Sequence, residues 1–511
     1  MRDESLSVLV PDVAREQAER RGDHVAVRAA DRALTYAQLD ERSSRLAQAL
    51  RTLGVREGSR VAHLDRTGTE VVELLFATSK LGAVIVPLNW RLAPPELRTI
   101  VGDARPRVVI AGATYADVAA DLAREPEVVV LGDAYERLIA AHEAIDPGVR
   151  GAPGDTVLQM YTSGTTGVPK GVLTTHRNLA AAAASSTLWR FDRESISMTP
   201  LPMFHIGGIG WAYLGLWNGA TTILVRDFVP EAVLATLERE RVTNAVLVPT
   251  MLQRLTEVEG AAERDYSALR SIAYGASPIT TPVLKAALRT FRCPLFGIYG
   301  LTESTGGVVQ LDPDDHDPDG PRERLLRAAG RPLPWVELRV VDPKTGTDRA
   351  RGEIGEVCLR APNVMAGYFE RPRETTAVLT PDGWLRTGDG GYLDDEGYLF
   401  LTDRIKDMIV SGGENVYPAE VEEVLAHHPD VAEVAVIGVP DERWGETVKA
   451  LVVPRPGCTP TADELVAFAR ERLAGYKLPR SIEFVADLPR SATGKVLKRE
   501  LRDRPAAAAS G

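Results

Sequence analysis

Tyr161-Thr-Ser-Gly-Thr-Thr-Gly-Val-Pro-Lys-Gly171 is the stretch that decides how this chain is read. It packs four Ser/Thr hydroxyls, three glycines and a lysine into eleven residues, just after an apolar run. Glycines let backbone N–H groups approach anionic oxygens, hydroxyls donate further hydrogen bonds, and Lys170 supplies charge, which is what a polyphosphate requires. The pattern is not a Walker A loop, because Pro169 precedes Lys170 and Gly171 stands where Ser or Thr would follow. Thr162, Ser163, Gly164, Thr165, Thr166, Gly167 and Lys170 are the candidate phosphate contacts. The competing reading is a plain Ser/Thr/Gly surface turn.

Outward from this loop, short apolar runs at 84–88, 108–111, 128–131, 244–248, 271–274 and 295–299 alternate with amphipathic stretches such as 71–81 and 227–239. Strands alternating with helices predict an α/β fold with a parallel sheet. The texture changes after about residue 401: a short helix at 420–427, paired strands at 431–439 and 447–453, and a helix at 462–473 predict a small, mobile α+β domain. The expected organisation is a large N-terminal domain of parallel and mixed sheets with crossover helices at 1–402, a hinge at 403–407 and a C-terminal lid at 408–511, with residues 506–511 disordered.

Composition narrows the function. The chain has 511 residues, 44% hydrophobic and 26% charged, so it can bury a large core. A net charge of −11 repels phosphate polymers and argues against a nucleic-acid partner. Cys293, Cys358 and Cys458 offer neither a disulfide framework nor metal-ligand spacing. The N-terminal residues lack the long apolar run of a signal peptide, so the expected compartment is the cytoplasm. Residues 201–225 carry no Asp, Glu, Lys or Arg, yet Pro202, His205, Asn218 and five glycines predict a core helix followed by a strand, not a transmembrane segment. The acidic run 312–320 lacks the closing Glu of a calcium loop and reads as a solvated loop.

Eight motifs in order carry a resemblance to the adenylate-forming superfamily of acyl-CoA synthetases, adenylation domains and firefly luciferase. They are Tyr161 to Gly171; Leu201-Pro-Met-Phe-His205; Gly275-Ala-Ser-Pro278; Tyr299-Gly-Leu-Thr-Glu303; Gly383-Trp-Leu-Arg-Thr-Gly-Asp389; Asp403-Arg-Ile-Lys-Asp407; Ser411-Gly-Gly-Glu-Asn415; and Pro489 through Gly494-Lys495. The resemblance runs along nearly the whole chain and implies that a carboxylate attacks the α-phosphate of ATP, expels pyrophosphate, and is then taken as an acyl group by a thiol. It implies Lys495 as the adenylation lysine, Glu303 with Thr302 as the Mg²⁺ site, and Tyr299 stacked on adenine. Asp389 and Arg404 would hold the nucleotide, with Gly275, Ala276, Ser277 and Gly300 completing the ATP/AMP site. His205 would position the acid or gate its entry. Gly207, Gly208, Ile298, Gly306 and Gly307 would leave room for an apolar acyl pocket. Ser411, Gly412, Gly413 and Glu414 would line the coenzyme A path, and Lys406 would be the hinge. Each chemistry is reasonable for its residue type: an acceptor-only carboxylate suits ribose hydroxyls or a hard cation, and a loop lysine can meet developing phosphate charge. The residues alone also allow an Asx-turn for Asp389, a surface ion pair for Arg404, a core histidine at 205, a first helical turn at Thr302-Glu303 and a solvated lysine at 495.

Two features bear on the substrate. Residues 201–225 contain no acid, which disfavours an amino-acid substrate in a family whose amino-acid-activating members pair a carboxylate with the substrate ammonium. The chain also has Gly297-Ile298 where the family usually has Asn or Gln followed by a small residue. The leading expectation is an ATP-dependent acid:CoA ligase acting on a hydrophobic carboxylic acid, with ATP, Mg²⁺ and coenzyme A. The alternatives are an acyl-AMP ligase that loads the phosphopantetheine of an acyl carrier protein, and a non-catalytic nucleotide-binding scaffold. A serine hydrolase is the weakest reading, because no Gly-x-Ser-x-Gly elbow occurs: Gly275-Ala-Ser277-Pro-Ile279 lacks the last glycine.

Overall fold

Short β-branched runs such as Val84–Pro87, Val108–Ala111 and Thr221–Leu224 are buried along their whole length, as strands covered on both faces must be. In the computed structural model they form the parallel cores of two large sheets. The structure describes residues 6–30, 32–122, 127–148, 151–163, 169–404, 407–411, 414–441, 444–491 and 496–502.

The first sheet has nine strands, in the order Arg331–Pro332, Gly306–Leu311, Leu295–Leu301, Ser271–Gly275, Asn244–Leu247, Ile196–Thr199, Thr221–Leu224, Val25–Ala29 and Arg32–Thr35. Its middle is parallel, and Leu295–Leu301 and Gly306–Leu311 turn back on each other as an antiparallel hairpin. The second sheet has seven strands, in the order Gly367–Tyr368, Pro169–Thr175, Thr156–Ser163, Val84–Pro87, Arg60–Leu64, Val108–Ala111 and Glu127–Val130. A third, of Glu337–Val341, Gly355–Arg360, Leu385–Leu393 and Leu399–Arg404, is antiparallel throughout. The last pairs Val431–Asp441 with Gly445–Pro454, whose opposite edge takes the hairpin Ile409–Ser411/Glu414–Val416 at Gly445 and Ser481–Phe484 in parallel along 449–452. Pro418–Ala426 and Ala462–Arg470 pack on it around Val421, Leu425, Leu465 and Ala469. The mixed α/β architecture with a small C-terminal α+β unit thus matches expectation.

The segment 201–225 is a helix, Ile206–Trp217, followed by the buried strand Thr221–Leu224. Twelve residues at about 1.5 Å each span about 18 Å, short of a bilayer. Among the described residues no helix is long and apolar enough to cross a membrane. The acidic run near 315 is an internal ionic link: Asp315 pairs with Arg322 at 2.9 Å and accepts from the Tyr398 hydroxyl at 2.8 Å. Burial raises the thiol pKa of Cys293 to about 12 and of Cys358 to about 11, so both stay protonated at neutral pH.

One capping interaction ties the hairpin Thr156–Ser163/Pro169–Thr175 to a distant segment. Thr175 ends the strand Pro169–Thr175 and caps His176–Ala183 reciprocally with Asn178. The Asn178 amide then donates to the carbonyls of Pro362 and Val364 at 2.9 and 2.8 Å. His176, 2% exposed, accepts from the Val10 N–H at Nδ1, and burial lowers its pKa from 6.5 to about 4. Because the folded value lies below the unfolded one, the unfolded chain binds the extra proton between those pH values, and stability is lost as pH falls from 6.5 towards 4. His176→Asn keeps an acceptor and removes the titration. Its stability, measured by urea unfolding, should fall by up to about 3 kcal/mol less than wild type across that window; parallel curves would contradict the assignment.

Candidate active site

The loop that opened the sequence analysis joins Thr156–Ser163 to the antiparallel Pro169–Thr175, a strand–loop–strand hairpin instead of the strand–loop–helix of a Walker A site. Lys170 lies within the strand Pro169–Thr175, and the next helix begins only at His176. Gly164, Thr165, Thr166 and Gly167 lie outside the described residues, as does the side chain of Ser163.

The strand Gly367–Tyr368 pairs with Pro169–Thr175, placing Tyr368 opposite Val172, and the Phe369 N–H donates to the Gly171 carbonyl at 2.7 Å. The Lys170 ammonium sits 5.2 Å from the centre of the Tyr368 ring. The Tyr368 hydroxyl donates to Glu303 Oε1 at 2.9 Å. Sequence reasoning missed Tyr368, since a lone Tyr after a glycine carries no chemical signature. Thr302 and Glu303 form a 3₁₀ turn, Thr302–Ser304, at the apex of the hairpin, and not the first turn of an α-helix that the residues alone also allow. The buried Ser304 fixes that apex: its hydroxyl donates towards the Gly306 and Leu301 carbonyls, and its own carbonyl accepts from the Asn363 amide. The Glu303 carbonyl accepts from the Met365 N–H at 2.8 Å.

From the same hairpin the Tyr299 hydroxyl donates to Asp389 Oδ2 at 2.7 Å. Asp389 lies on Leu385–Leu393 after Gly388, whose φ of +72° is one that a side chain would disfavour. Its backbone pairs with Arg404, whose side chain is not described. Gly275 ends the strand beside Ile298, with Ala276 at φ +68° and Ser277 following, so this turn adjoins the Tyr299 strand near Gly300. Two contacts therefore radiate from one hairpin: Tyr299 on its first strand reaches Asp389 on the four-stranded sheet, and Glu303, next to Thr302 at its apex, reaches Tyr368, whose ring faces Lys170 on the seven-stranded sheet. Lys406, Gly412, Gly413 and Lys495 fall outside the described residues; Ser411 is buried and its backbone pairs with Glu414.

His205 precedes the Ile206–Trp217 helix, its ring 4.5 Å from Phe204. Burial, and then the positive charge of Arg91, depress its pKa to about 3. Nε2 is buried without a hydrogen-bond partner among the described residues. The imidazole is therefore neutral at pH 7, able to hydrogen-bond a carboxylate but not to neutralise it. Arg91, whose guanidinium lies 4.6 Å from the Trp90 ring centre, was also missed by sequence reasoning.

The expected clearance glycines need correction. A Cβ at Gly208 would meet the Pro202 carbonyl oxygen at 2.2 Å, so that glycine serves a close backbone approach and leaves no room for substrate. At Gly307 the space is taken by Ile298 Cγ2 at 2.6 Å, and at Gly207 Leu201 comes within 3.1 Å. Of the four, Gly306 alone borders open space. Trp189 borders Gly307 and stacks on Trp211 at 5.4 Å, with Phe191 edge-on to Trp211 at 5.1 Å. Trp189, Phe191 and Trp211 belong to one buried cluster against which Ile298 packs.

Gly297 has a similar physical reason. A Cβ there would lie 2.8 Å from the Tyr274 hydroxyl oxygen and 3.1 Å from Leu311 Cβ, so the volume that Asn or Gln would need is filled by the phenol. Gly297→Ala should cost about 1–3 kcal/mol, and Tyr274→Phe, which removes the nearest atom, should recover part of that loss in a double-mutant cycle of thermal unfolding. Additive effects would show that the two positions do not compete.

Comparison with known proteins gives the following. The AMP-binding enzyme family matches residues 14–369, and the AMP-binding enzyme C-terminal domain matches 420–495. A fatty acid–[acyl-carrier-protein] ligase, ScoC of Streptomyces coeruleorubidus, is 42% identical over 94% of this chain and 93% of its own length. A feruloyl-CoA synthase from an Amycolatopsis species is 41% identical, covering 94% of this chain and 95% of its own. The crystal structure of ATP-bound MatB from Rhodopseudomonas palustris superposes with a TM-score of 0.90 at 31% identity, over 97% of this chain and 99% of that one.

Proposed function

The chain belongs to the AMP-binding enzyme family and is an ATP-dependent, adenylate-forming acid ligase; on that premise we propose that it converts a compact hydrophobic carboxylic acid to its acyl-CoA in the cytoplasm. A carboxylate oxygen attacks the α-phosphorus of ATP and pyrophosphate leaves. The CoA thiol then attacks the acyl carbonyl and AMP leaves. The observation that carries this reading is that one hairpin presents Tyr299 to Asp389 and Glu303 to Tyr368, whose ring faces Lys170.

Lys170 and its loop would bear phosphate charge, and Asp389, oriented by Tyr299, would accept from the ribose hydroxyls. The donors present fit a Mg²⁺ ion. Glu303 and the adjacent Thr302 hydroxyl are hard oxygen ligands, and no group of three or more His, Cys, Asp or Glu forms a dedicated cage among the described residues. That suits a cation held by one or two carboxylates together with substrate phosphates. Such a cation would neutralise charge on the transferred phosphate. His205, neutral and with Nε2 unpaired, would hydrogen-bond the acid's carboxylate and orient it.

The bulk of Ile298 and Trp189 against Gly307, where the acyl group is expected, supports a compact or aromatic acid over a long unbranched one. The short connection between Leu385–Leu393 and Leu399–Arg404 favours free CoA, because some fatty-acyl-AMP ligases that resist CoA carry an insertion in this region. The likeness to ScoC supports the second reading, transfer to a carrier protein. A panel of aryl-propenoic, alicyclic and long-chain acids, assayed for AMP and thioester with CoA and separately with a holo carrier protein, tests both. We expect acyl-CoA from CoA alone, with compact acids ahead by roughly tenfold in kcat/KM. Thioester on the carrier only would establish the second reading, and no AMP with any acid would leave a non-catalytic scaffold.

Residues 403–407 are proposed as the hinge about which the C-terminal unit turns between half-reactions, bringing Lys495 to the phosphates for adenylation and the 411–414 hairpin to the thiol path afterwards. Proline fixes φ near −65° and removes an N–H. Lys406→Pro should therefore keep acid-dependent pyrophosphate exchange while slowing thioester formation from preformed acyl adenylate by roughly tenfold or more. Both half-reactions at wild-type rates in a folded variant would refute the hinge.

A further inference from the structure

Tyr368 has a double contact that none of the eight sequence motifs includes. Its backbone is fastened on both sides: the strand Gly367–Tyr368 pairs with Pro169–Thr175, and the Tyr368 N–H donates to Thr375 Oγ1 at 2.9 Å, on the helix Pro372–Val378. Its side chain, 9% exposed, then reaches two groups of opposite charge. The ring face lies beneath the Lys170 ammonium at 5.2 Å, and the hydroxyl donates to Glu303 Oε1 at 2.9 Å.

A lysine and a glutamate in one cavity attract each other, and a direct pair would occupy the lysine donors and one face of the carboxylate. Lys170 and Glu303 do not form such a pair in this structure: the phenol takes Glu303 Oε1, and the ring's negative face takes the ammonium. A hydrogen bond to the ionised carboxylate also fixes its rotamer and leaves Oε2 as the oxygen to meet a cation.

We propose that Tyr368 is the positioning residue that holds Lys170 and Glu303 apart, ring to the lysine and hydroxyl to the carboxylate, so that a phosphate chain and its divalent cation can enter between them. This rests on the reading of Glu303 and Lys170 as metal and phosphate groups. The two halves of the side chain are separable. Tyr368→Phe removes the hydroxyl and keeps the ring; Tyr368→Leu removes both.

The test is binding, not turnover. Calorimetry measures ATP without divalent metal, and electron paramagnetic resonance of Mn²⁺ measures metal binding at saturating ATP, for wild type, both variants and Glu303→Gln. Tyr368→Phe should leave metal-free ATP affinity within about twofold, since the lysine keeps its ring, and should weaken Mn²⁺ binding by roughly fivefold or more, since Glu303 loses its fixed rotamer. Tyr368→Leu should weaken metal-free ATP binding as well, by roughly fivefold or more, because Lys170 and Glu303 are then free to pair. Combining Tyr368→Phe with Glu303→Gln should give no further loss of Mn²⁺ affinity beyond Glu303→Gln alone. Mn²⁺ binding unchanged in Tyr368→Phe, or an equal loss of metal-free ATP binding in the Phe and Leu variants, overturns the proposal. Failure of the wild type to bind ATP at all would instead strike the assignment of the site itself. Thermal unfolding checks that each variant is folded, and if the leucine variant is not, the phenylalanine arm decides alone.

Discussion

A single short segment, 362–369, fastens the Thr156–Ser163/Pro169–Thr175 hairpin of one sheet to the Thr302–Glu303 apex of another. Its N–H groups reach in two directions: Met365 to the Glu303 carbonyl, Ala366 to that of Leu173, and Phe369 to that of Gly171. Its carbonyls at 362 and 364 receive the Asn178 amide, and Asn363 in turn grips the Ser304 and Gly307 carbonyls. Backbone hydrogen bonds tolerate little displacement, so these contacts set the distance between two functional elements that lie 133 residues apart from Lys170 to Glu303 in sequence (303 − 170). Side-chain chemistry at the site depends on that distance before it depends on any single catalytic group.

Electrostatics reinforces the same division of labour. Charges that serve the fold are paired and buried far from the site: Glu73, fully buried, accepts from Arg32, Arg42 and the Tyr135 hydroxyl, and Lys80 is held by Asp40 and Ser44. Such groups cannot be lost singly without leaving an uncompensated buried charge. Charges at the site are held differently. Lys170 rests on a ring, and Glu303 accepts from a phenol; neither contact is an ion pair.

The sequence revealed the parallel strands well, because strands covered on both faces are short, β-branched and continuous, as at 108–111 and 244–247. Lys170, Thr302-Glu303 and Asp389 were picked out by the order of their motifs, since each residue type taken alone also suits an ordinary turn. The hairpin character of the phosphate loop was hidden, since Ser, Thr and Gly signal a turn without saying which element follows. The glycines misled for a physical reason: a glycine shows that a side chain does not fit, not whether substrate, backbone or a neighbouring branch fills the space. Pro202 at Gly208, Ile298 at Gly307 and Tyr274 at Gly297 are three different occupants. Tyr368 and Arg91 were invisible because their importance is a matter of what lies opposite them in space.

The central claim is that a carboxylate oxygen of the substrate bonds to the α-phosphorus of ATP at this site. Oxygen-18 placed in the carboxylate of an accepted acid reports on that bond directly, because breakdown of an acyl adenylate by a thiol leaves one carboxylate oxygen on the phosphorus. Mass spectrometry of the nucleotide after turnover with CoA should find the AMP heavier by a single ¹⁸O. Unlabelled AMP, or label appearing in inorganic phosphate alongside ADP, would contradict the account.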